Sequence, residues 1–323
     1  MALALVLLVV YLGWIGYQGS QAFAERDRAG DCRTPGSAFG WPYEAINSPI
    51  SSDDSLASVA DRLNCPDQGQ TAGNNLTTGD GTRIAGWYIP GGDAGGPTGP
   101  TVVLAHGDGA NKSEMLEWAD ILHARYNLVL FDFRNHGQSS GTVTTMGLRE
   151  AGDLRAVVDW LEERKGPTSI ALLGVSMGGA AAISEAASDP RVSAVILDST
   201  HATLANAIQA RLDRDGYPLS IPGAWSILLG GLLRTGEDMS SADPVQAIAR
   251  YGDRPVLIVA AGSDRAIGPN DAADLLAAAR EEGDNAEMDS CAAAPHTRSI
   301  STCAAEYSGW LLTFLGRTLS AAP

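Results

Sequence analysis

From residue 81 onward the chain switches between two hydrophobic periods. Short apolar runs at 101–105, 127–132, 168–174, 192–198 and 254–261 read as buried strands. Segments at 113–124, 146–165, 177–188, 271–282 and 299–319 carry helical spacing, with Ser113 placed as the N-cap of the first. A further strand at 83–89 stops at Pro90, and a short one is expected at 286–289. Strands that alternate with helices predict an α/β fold with a mostly parallel central sheet flanked by helices on both faces. The rhythm breaks at 201–253, a small helical insertion with helical stretches at 205–211 and 225–233. The second stretch is apolar through Ile221, Trp225, Ile227, Leu228, Leu229, Leu232 and Leu233. An insertion after a strand's carboxyl end is placed to act as a lid. Its apolar face either lines a pocket or packs on the core.

The region before residue 81 patterns differently. Residues 25–80 are polar and rich in Gly, Pro, Ser, Asp and Asn, which reads as extended structure with one short helix at 55–63. Asn75-Leu76-Thr77 is a glycosylation sequon. Residues 2–17 are almost wholly apolar, and the first charge is Glu25. Ala22-Phe23-Ala24 offers a signal-peptidase site, so residues 1–24 read as a signal peptide or membrane anchor, with an ordinary buried helix as the alternative. The expected organisation is therefore 1–24, an extended and disulfide-stabilised N-terminal region at 25–80, and one α/β domain at 81–319 with its lid insertion at 201–253.

Composition narrows the partners. A formal charge of −16 over 323 residues argues against nucleic acid and against anionic membrane surfaces. Membrane contact is expected only through the N-terminal segment. Four cysteines behind an export-like segment suggest disulfides and an extracytoplasmic location. Three connectivities are possible, and the simplest is local, Cys32 with Cys65 and Cys291 with Cys303. Their spacing does not match zinc ligands and no histidine cluster accompanies them, so no metal or organic cofactor is expected.

The chemistry centres on Leu173-Gly174-Val175-Ser176-Met177-Gly178-Gly179, which reads strand, sharp turn, helix, with a serine at the apex. A serine hydroxyl needs a base, and the base needs an orienting carboxylate. Of His106, His123, His136, His201 and His296, only His296 follows the last strand. His123 falls within a helix and is expected at the surface, while His136 and His201 sit where either could line the site. Asp264 follows the strand at 254–261, and Asp198, which ends the preceding strand, is the alternative acid. Ser176, Asp264 and His296 occur in the chain order expected of a strand-end triad.

With these residues in place, 81–317 resembles the α/β-hydrolase superfamily, and within it the short-lid, serine-aminopeptidase-like branch that includes membrane-associated esterases and thioesterases. The signatures are Asp80-Gly81 with Gly86-Trp87-Tyr88-Ile89-Pro90, His106-Gly107-Asp108-Gly109-Ala110-Asn111, and Asp132-Phe133-Arg134-Asn135-His136-Gly137-Gln138-Ser139. Gly147, Glu150, Asp153-Leu154, the Ser176 turn, Asp198-Ser199 and the Asp264 loop complete them. The resemblance implies an oxyanion hole from the backbone N–H groups of Asp108 and Met177. It also implies that His106 shapes its loop and that Asp132 and Arg134 are structural. The Asp108 carboxylate is expected to point away or to pair with Lys112 or Arg134. The implied activity is hydrolysis of a carboxylic ester or thioester on a small-molecule acyl substrate through an acyl-enzyme. A serine peptidase, an acyltransferase and a non-catalytic binding protein of the same fold are the alternatives. His296 lies between Cys291 and Cys303, so their pairing would staple the loop that carries the base.

Overall fold

A computed structural model describes residues 2–24, 32–46, 76–283 and 285–319. Eight strands form one sheet in the order β1-β2-β4-β3-β5-β6-β7-β8. They are β1 Glu44–Ile46, β2 Gly86–Ile89, β3 Thr101–Ala105, β4 Asn127–Phe131, β5 Ile170–Val175, β6 Val192–Asp198, β7 Val256–Ala261 and β8 Ala286–Cys291. β1 and β2 pair antiparallel at one edge, and the pairs from β4 to β8 are parallel. Among the described residues the α-helices, in chain order, are α1 Ala2–Gln21, α2 Pro35–Phe39, α3 Leu116–Leu122, α4 Glu150–Arg164, α5 Met177–Ala186, α6 Leu204–Arg214, α7 Ser220–Thr235, α8 Pro244–Tyr251, α9 Asp271–Glu282, α10 Ser299–Thr302 and α11 Ala304–Thr318.

Each central strand is buried on both faces, which is why these segments are continuous apolar runs and do not alternate. Successive residues point to opposite faces. Val103, Leu172, Leu197 and Ile258 pack into one core with Leu154, Val158 and Ile183 of α4 and α5. Leu104, Leu173, Ile196 and Leu257 pack into the other with Leu116, Tyr307 and Leu311 of α3 and α11. Val175 pairs with Asp198, Asp198 with Val259, and Ala261 with Cys291. The carboxyl ends of β5 to β8 therefore lie side by side, where an open α/β sheet gathers its functional groups.

Several boundaries differ from the sequence expectation, each for a local reason. The helix expected at 113–124 begins only at Leu116; Ser113 N–H donates to Asn111 Oδ1 in a preceding turn, and Ser113 is not the N-cap. The helix expected at 146–165 begins at Glu150. Met146 (φ 56°) and Gly147 (φ 117°) are left-handed, and the buried Glu150 carboxylate accepts from Thr145 N–H, Thr145 Oγ1 and Gly147 N–H. The closing helix at 299–319 breaks at Cys303 (φ −120°, ψ 51°), which is disulfide-bonded to Cys291. The strand expected at 83–89 is confined to Gly86–Ile89, and the last strand runs two residues further than expected, to Cys291.

The insertion carries one helix beyond the two expected. Asp243 caps α8 by accepting from Gln246 N–H, with Pro244 at the first helical position. Residues 44–46, read from sequence as part of the extended N-terminal region, supply the outer strand β1. The helix at 55–63, the sequon's Asn75 and Cys65 lie outside the described residues, so the Cys32–Cys65 pairing does too.

Candidate active site

Ser176 follows β5 directly and precedes α5. Its backbone is held at φ 54°, ψ −116°, a region that costs a non-glycine residue roughly 1–3 kcal/mol. The neighbouring strand and helix impose that geometry. Ser176 N–H donates to Asp198 O at 2.8 Å, while its own carbonyl accepts from Gly179 N–H at 2.9 Å. The flanking glycines are required by close approach. A Cβ at Gly174 would run into the carbonyl of Gly178, and one at Gly178 into the carbonyl of Ala105.

The three residues singled out from sequence meet here. His296 Nε2 lies 3.0 Å from Ser176 Oγ, and His296 Nδ1 lies 2.7 Å from Asp264 Oδ2. They arrive from separate strand ends: Ser176 after β5, Asp264 after β7, His296 after β8. Asp264 Oδ1 accepts from Ala266 N–H at 2.8 Å, which fixes the carboxylate's orientation. With Nδ1–H donated to Asp264, a neutral imidazole presents Nε2 as acceptor to the serine hydroxyl. The arrangement can move the hydroxyl proton to Nε2 and stabilise the resulting imidazolium.

Asp198 sits elsewhere. Its side chain is fully buried, accepting from Tyr307 Oη at 2.6 Å through Oδ2 and from Ser199 Oγ at 2.9 Å through Oδ1. Trp118 Nε1 donates to Tyr307 Oη at 2.7 Å, extending the chain. Ser199 Oγ in turn accepts from Thr297 N–H at 3.1 Å. Asp198 thus supports the residue after His296 and does not touch the imidazole through a hydrogen bond. Sequence reasoning missed Ser199 and Tyr307. The signal for Ser199 was present in the adjacent Asp198-Ser199 pair, but Tyr307 has none, because only the fold brings α11 under β6.

The loop after β3 borders the same point. Gly107 packs on Ser176, so that a Cβ there would lie 3.5 Å from Ser176 Cβ, and Asp108 follows it. Met177 begins α5, and its N–H is among those a helix leaves without an intrahelical partner. The Asp108 carboxylate pairs with neither Lys112 nor Arg134. Lys112 is taken by the buried Asp132 and by Gln138, and Arg134 by the buried Asp153 and the exposed Asp80. Asp108 Oδ1 instead faces His136 Nε2 at 3.5 Å. His106 accepts from Phe133 N–H at 3.0 Å and braces the loop from beneath. His123 stacks on Trp41 with centroids 3.8 Å apart, away from the serine.

Two cavities meet at Ser176, His296 and Asp108. One, of about 480 Å³, is walled by apolar side chains that include Leu204, Ile208 and Ile227 of the insertion. Of the seven apolar residues that marked the insertion's second stretch, Ile227 alone is part of that wall; Leu228 is buried against α1 and its neighbours, and the other five are exposed. The second cavity, of about 400 Å³, is more polar and is bordered by Arg33, Glu114, Glu117 and Arg298.

Two buried histidines make stability pH-dependent. Burial holds His106 down to about 3 and His201, beside His296, down to about 4. Both stay neutral when folded but titrate normally near 6.5 when unfolded. Their contribution is fully present above pH 6.5 and is lost as the pH falls through the window toward 4, because only the unfolded chain gains protons. Lowering the pH from 6.5 to 5 is expected to cost about 3 kcal/mol from the pair. Urea midpoints measured at pH 7 and pH 5 check this, and an unchanged midpoint contradicts it.

Comparison with known proteins agrees with this architecture. Residues 100–253 match the family model described as the alpha/beta hydrolase fold. The uncharacterized protein YfhR of Salmonella typhi is 30% identical over 224 residues, covering 64% of this chain and 68% of the relative. YfhR of Escherichia coli O157:H7 is 31% identical over 172 residues, covering 49% of this chain and 57% of that protein, so the match spans less than two thirds of its length. Among solved structures, the Pyrococcus furiosus esterase Pf2001 superposes with a TM-score of 0.68 at 21% identity, covering 92% of this chain and 100% of the esterase. The sheet order, the sharp turn at Ser176 and these matches lead to one assignment: the chain belongs to the α/β-hydrolase superfamily.

Proposed function

We propose that the protein is a serine hydrolase that cleaves a carboxylic ester or thioester. One observation carries the reading: Ser176 Oγ, His296 Nε2 and Nδ1, and Asp264 Oδ2 form a continuous hydrogen-bonded relay of 3.0 and 2.7 Å where two cavities meet. Ser176 Oγ attacks the substrate carbonyl as His296 Nε2 takes its proton. The oxyanion forms beside the N–H groups of Met177 and Asp108, at the positive end of α5. Collapse of the tetrahedral adduct breaks the bond to the leaving group, which receives the proton from His296. Water repeats the sequence on the acyl-enzyme and releases the acid. The apolar cavity suits the acyl group and the polar one the leaving group. A working location outside the cytoplasm, by export or anchoring, suits the Cys291–Cys303 bond.

The test is a panel of p-nitrophenyl acyl esters and acyl thioesters, with fluorophosphonate labelling followed by peptide mapping. Turnover and a label on Ser176 are expected. No turnover across the panel together with no label discards the proposal.

The disulfide adds a narrower prediction. Cys291 and Cys303 close a loop of sequence separation 12 around His296. In the chain-entropy model a loop of that size is worth about 3 kcal/mol. The loop is also tied to the Asp264 turn, since Ser263 N–H donates to Ala294 O and Gly262 N–H to Cys291 O. Cys303→Ser is therefore expected to lower Tm measurably and kcat/KM several-fold, with the far-UV circular dichroism retained. Equal kcat/KM and Tm at demonstrated loss of the bond would remove it from any role at the site.

A further inference from the structure

The N-terminal apolar segment packs against the lid. α1 runs alongside α7, and glycines let the two backbones touch. A Cβ at Gly16 would meet Ser226 O at 2.6 Å, and one at Gly230 would run into the carbonyl of Gly16. Tyr11 Oη donates to Pro218 O at 2.7 Å, and Arg234 Nε to Ser20 Oγ at 3.3 Å. The end of α1 is tied to the main domain, where Thr144 N–H donates to Phe23 O at 2.8 Å. Ile15 and Phe23 are buried in one cluster with Leu204, Leu212, Ile227 and Leu228.

The same face of α1 borders the apolar cavity that ends at Ser176 and His296. Trp14, Ile15, Gln18 and Gly19 of α1, with Ala22 and Phe23 of the turn that follows it, form one of its walls, and α6 lines another. Its volume of about 480 Å³ lies within the roughly 300–1,000 Å³ of pockets that enclose whole small ligands. With α1 removed, that wall would be gone and the cavity would open into a shallow groove. A cleaved leader has no reason to complete an active-site cavity.

We infer that α1 is a retained wall of the acyl-binding cavity and that the cavity takes a long acyl chain, with α1 setting chain-length preference. The inference rests on the serine-hydrolase reading above and adds to it the substrate's acyl class and the determinant that selects it. The chain comes either from a lipid in a bilayer or from a dissolved long-chain ester. The exposed apolar residues continuous with this wall bear on the source. Leu3, Leu5, Leu7 and Val10 of α1, with Trp225 and Leu233 of α7, each expose 56% or more of their surface. An uncharged helical span of 19 residues, Leu3–Gln21, has the length that reaches across a hydrocarbon layer.

The experiment uses the full-length chain, Ala22→Trp, which fills the cavity from an exposed position, and Gly16→Val, which levers α1 from α7. Hydrolysis of p-nitrophenyl palmitate and acetate is compared, with the palmitate presented in phosphatidylcholine vesicles or in detergent-dispersed form. The palmitate-to-acetate ratio of kcat/KM is expected to exceed one in the parent and to fall about tenfold or more in both variants. Faster hydrolysis from vesicles assigns the bilayer as source, and faster hydrolysis in detergent assigns the dissolved ester; the cavity assignment stands in either case. A ratio unchanged in both variants, at a Tm showing them folded, overturns the inference. So does a mature N-terminus at residue 25, by intact mass, in enzyme that keeps the full palmitate preference. Failure of acetate turnover and of fluorophosphonate labelling in the parent would instead overturn the hydrolase reading itself.

Discussion

Ser176→Ala is expected to lower kcat/KM for acyl esters by about ten-thousandfold or more and to abolish fluorophosphonate labelling, with little change in Tm. Alanine leaves the backbone contacts of the turn intact, since those run from Ser176 N–H to Asp198 O and from Gly179 N–H to Ser176 O. Only Oγ is lost, and with it the atom 3.0 Å from His296 Nε2. His296→Ala should cost about as much, and the double variant little more than either single one, because a base without a nucleophile has no proton to take. A residual rate over water is expected from the proposed oxyanion donors, the N–H groups of Asp108 and Met177, which neither change touches. Ser176→Gly makes a useful companion. It removes the side chain that is held at φ 54° and should raise Tm slightly while remaining inactive. An alanine variant that keeps most of the parent rate would place the nucleophile elsewhere.

What sequence made legible follows the physics of each feature. Buried strands announce themselves because both faces are covered, so 101–105 and 192–198 were readable to the residue. The Ser176 turn was readable because close packing admits only glycine at 174 and 178. Helix starts were readable at Met177, Asp271 and Ser299, but not at Leu116 and Glu150, where irregular turns held by side chains precede the helix. Glu150 reaches back to Thr145 and Gly147 to hold a left-handed turn that apolar periodicity through Met146 and Leu148 conceals. Of the two outcomes expected for the Asp108 carboxylate, pairing with Lys112 or Arg134 is the one not found. Lys112 and Arg134 are held by the buried carboxylates of Asp132 and Asp153, and Asp108 faces His136. The role proposed for α1 had no sequence signature at all. A run of apolar residues with Gly13, Gly16 and Gly19 fits an export signal, a membrane span or a buried helix equally, and only its packing on α7 distinguishes a cavity wall.

The identity of the acid is the point at which sequence left two residues open, and it separates into two measurable outcomes. Asp264→Asn is expected to lower kcat/KM by about ten-thousandfold at nearly unchanged Tm. An amide facing Nδ1 either offers its N–H₂ to the imidazole and selects the wrong tautomer, or loses the negative charge that stabilises the imidazolium. The fold scarcely notices, because Ala266 N–H can still be accepted by the amide oxygen. Asp198→Asn should behave the other way round. Burial raises the pKa of Asp198, while the hydroxyls of Tyr307 and Ser199 draw it back by donating to the carboxylate. An asparagine there can accept only one of these donors through its oxygen and sets an N–H₂ group against the other. Leaving a buried donor unmatched costs about 1–3 kcal/mol, so Tm should fall clearly. Activity should fall only modestly, through slackening of Ser199 against Thr297 N–H and hence of the loop that holds His296. Thermal melts and kcat/KM on the same ester distinguish the two. A ten-thousandfold loss in Asp198→Asn at parental Tm, with Asp264→Asn active, would transfer the acid's role to the end of β6.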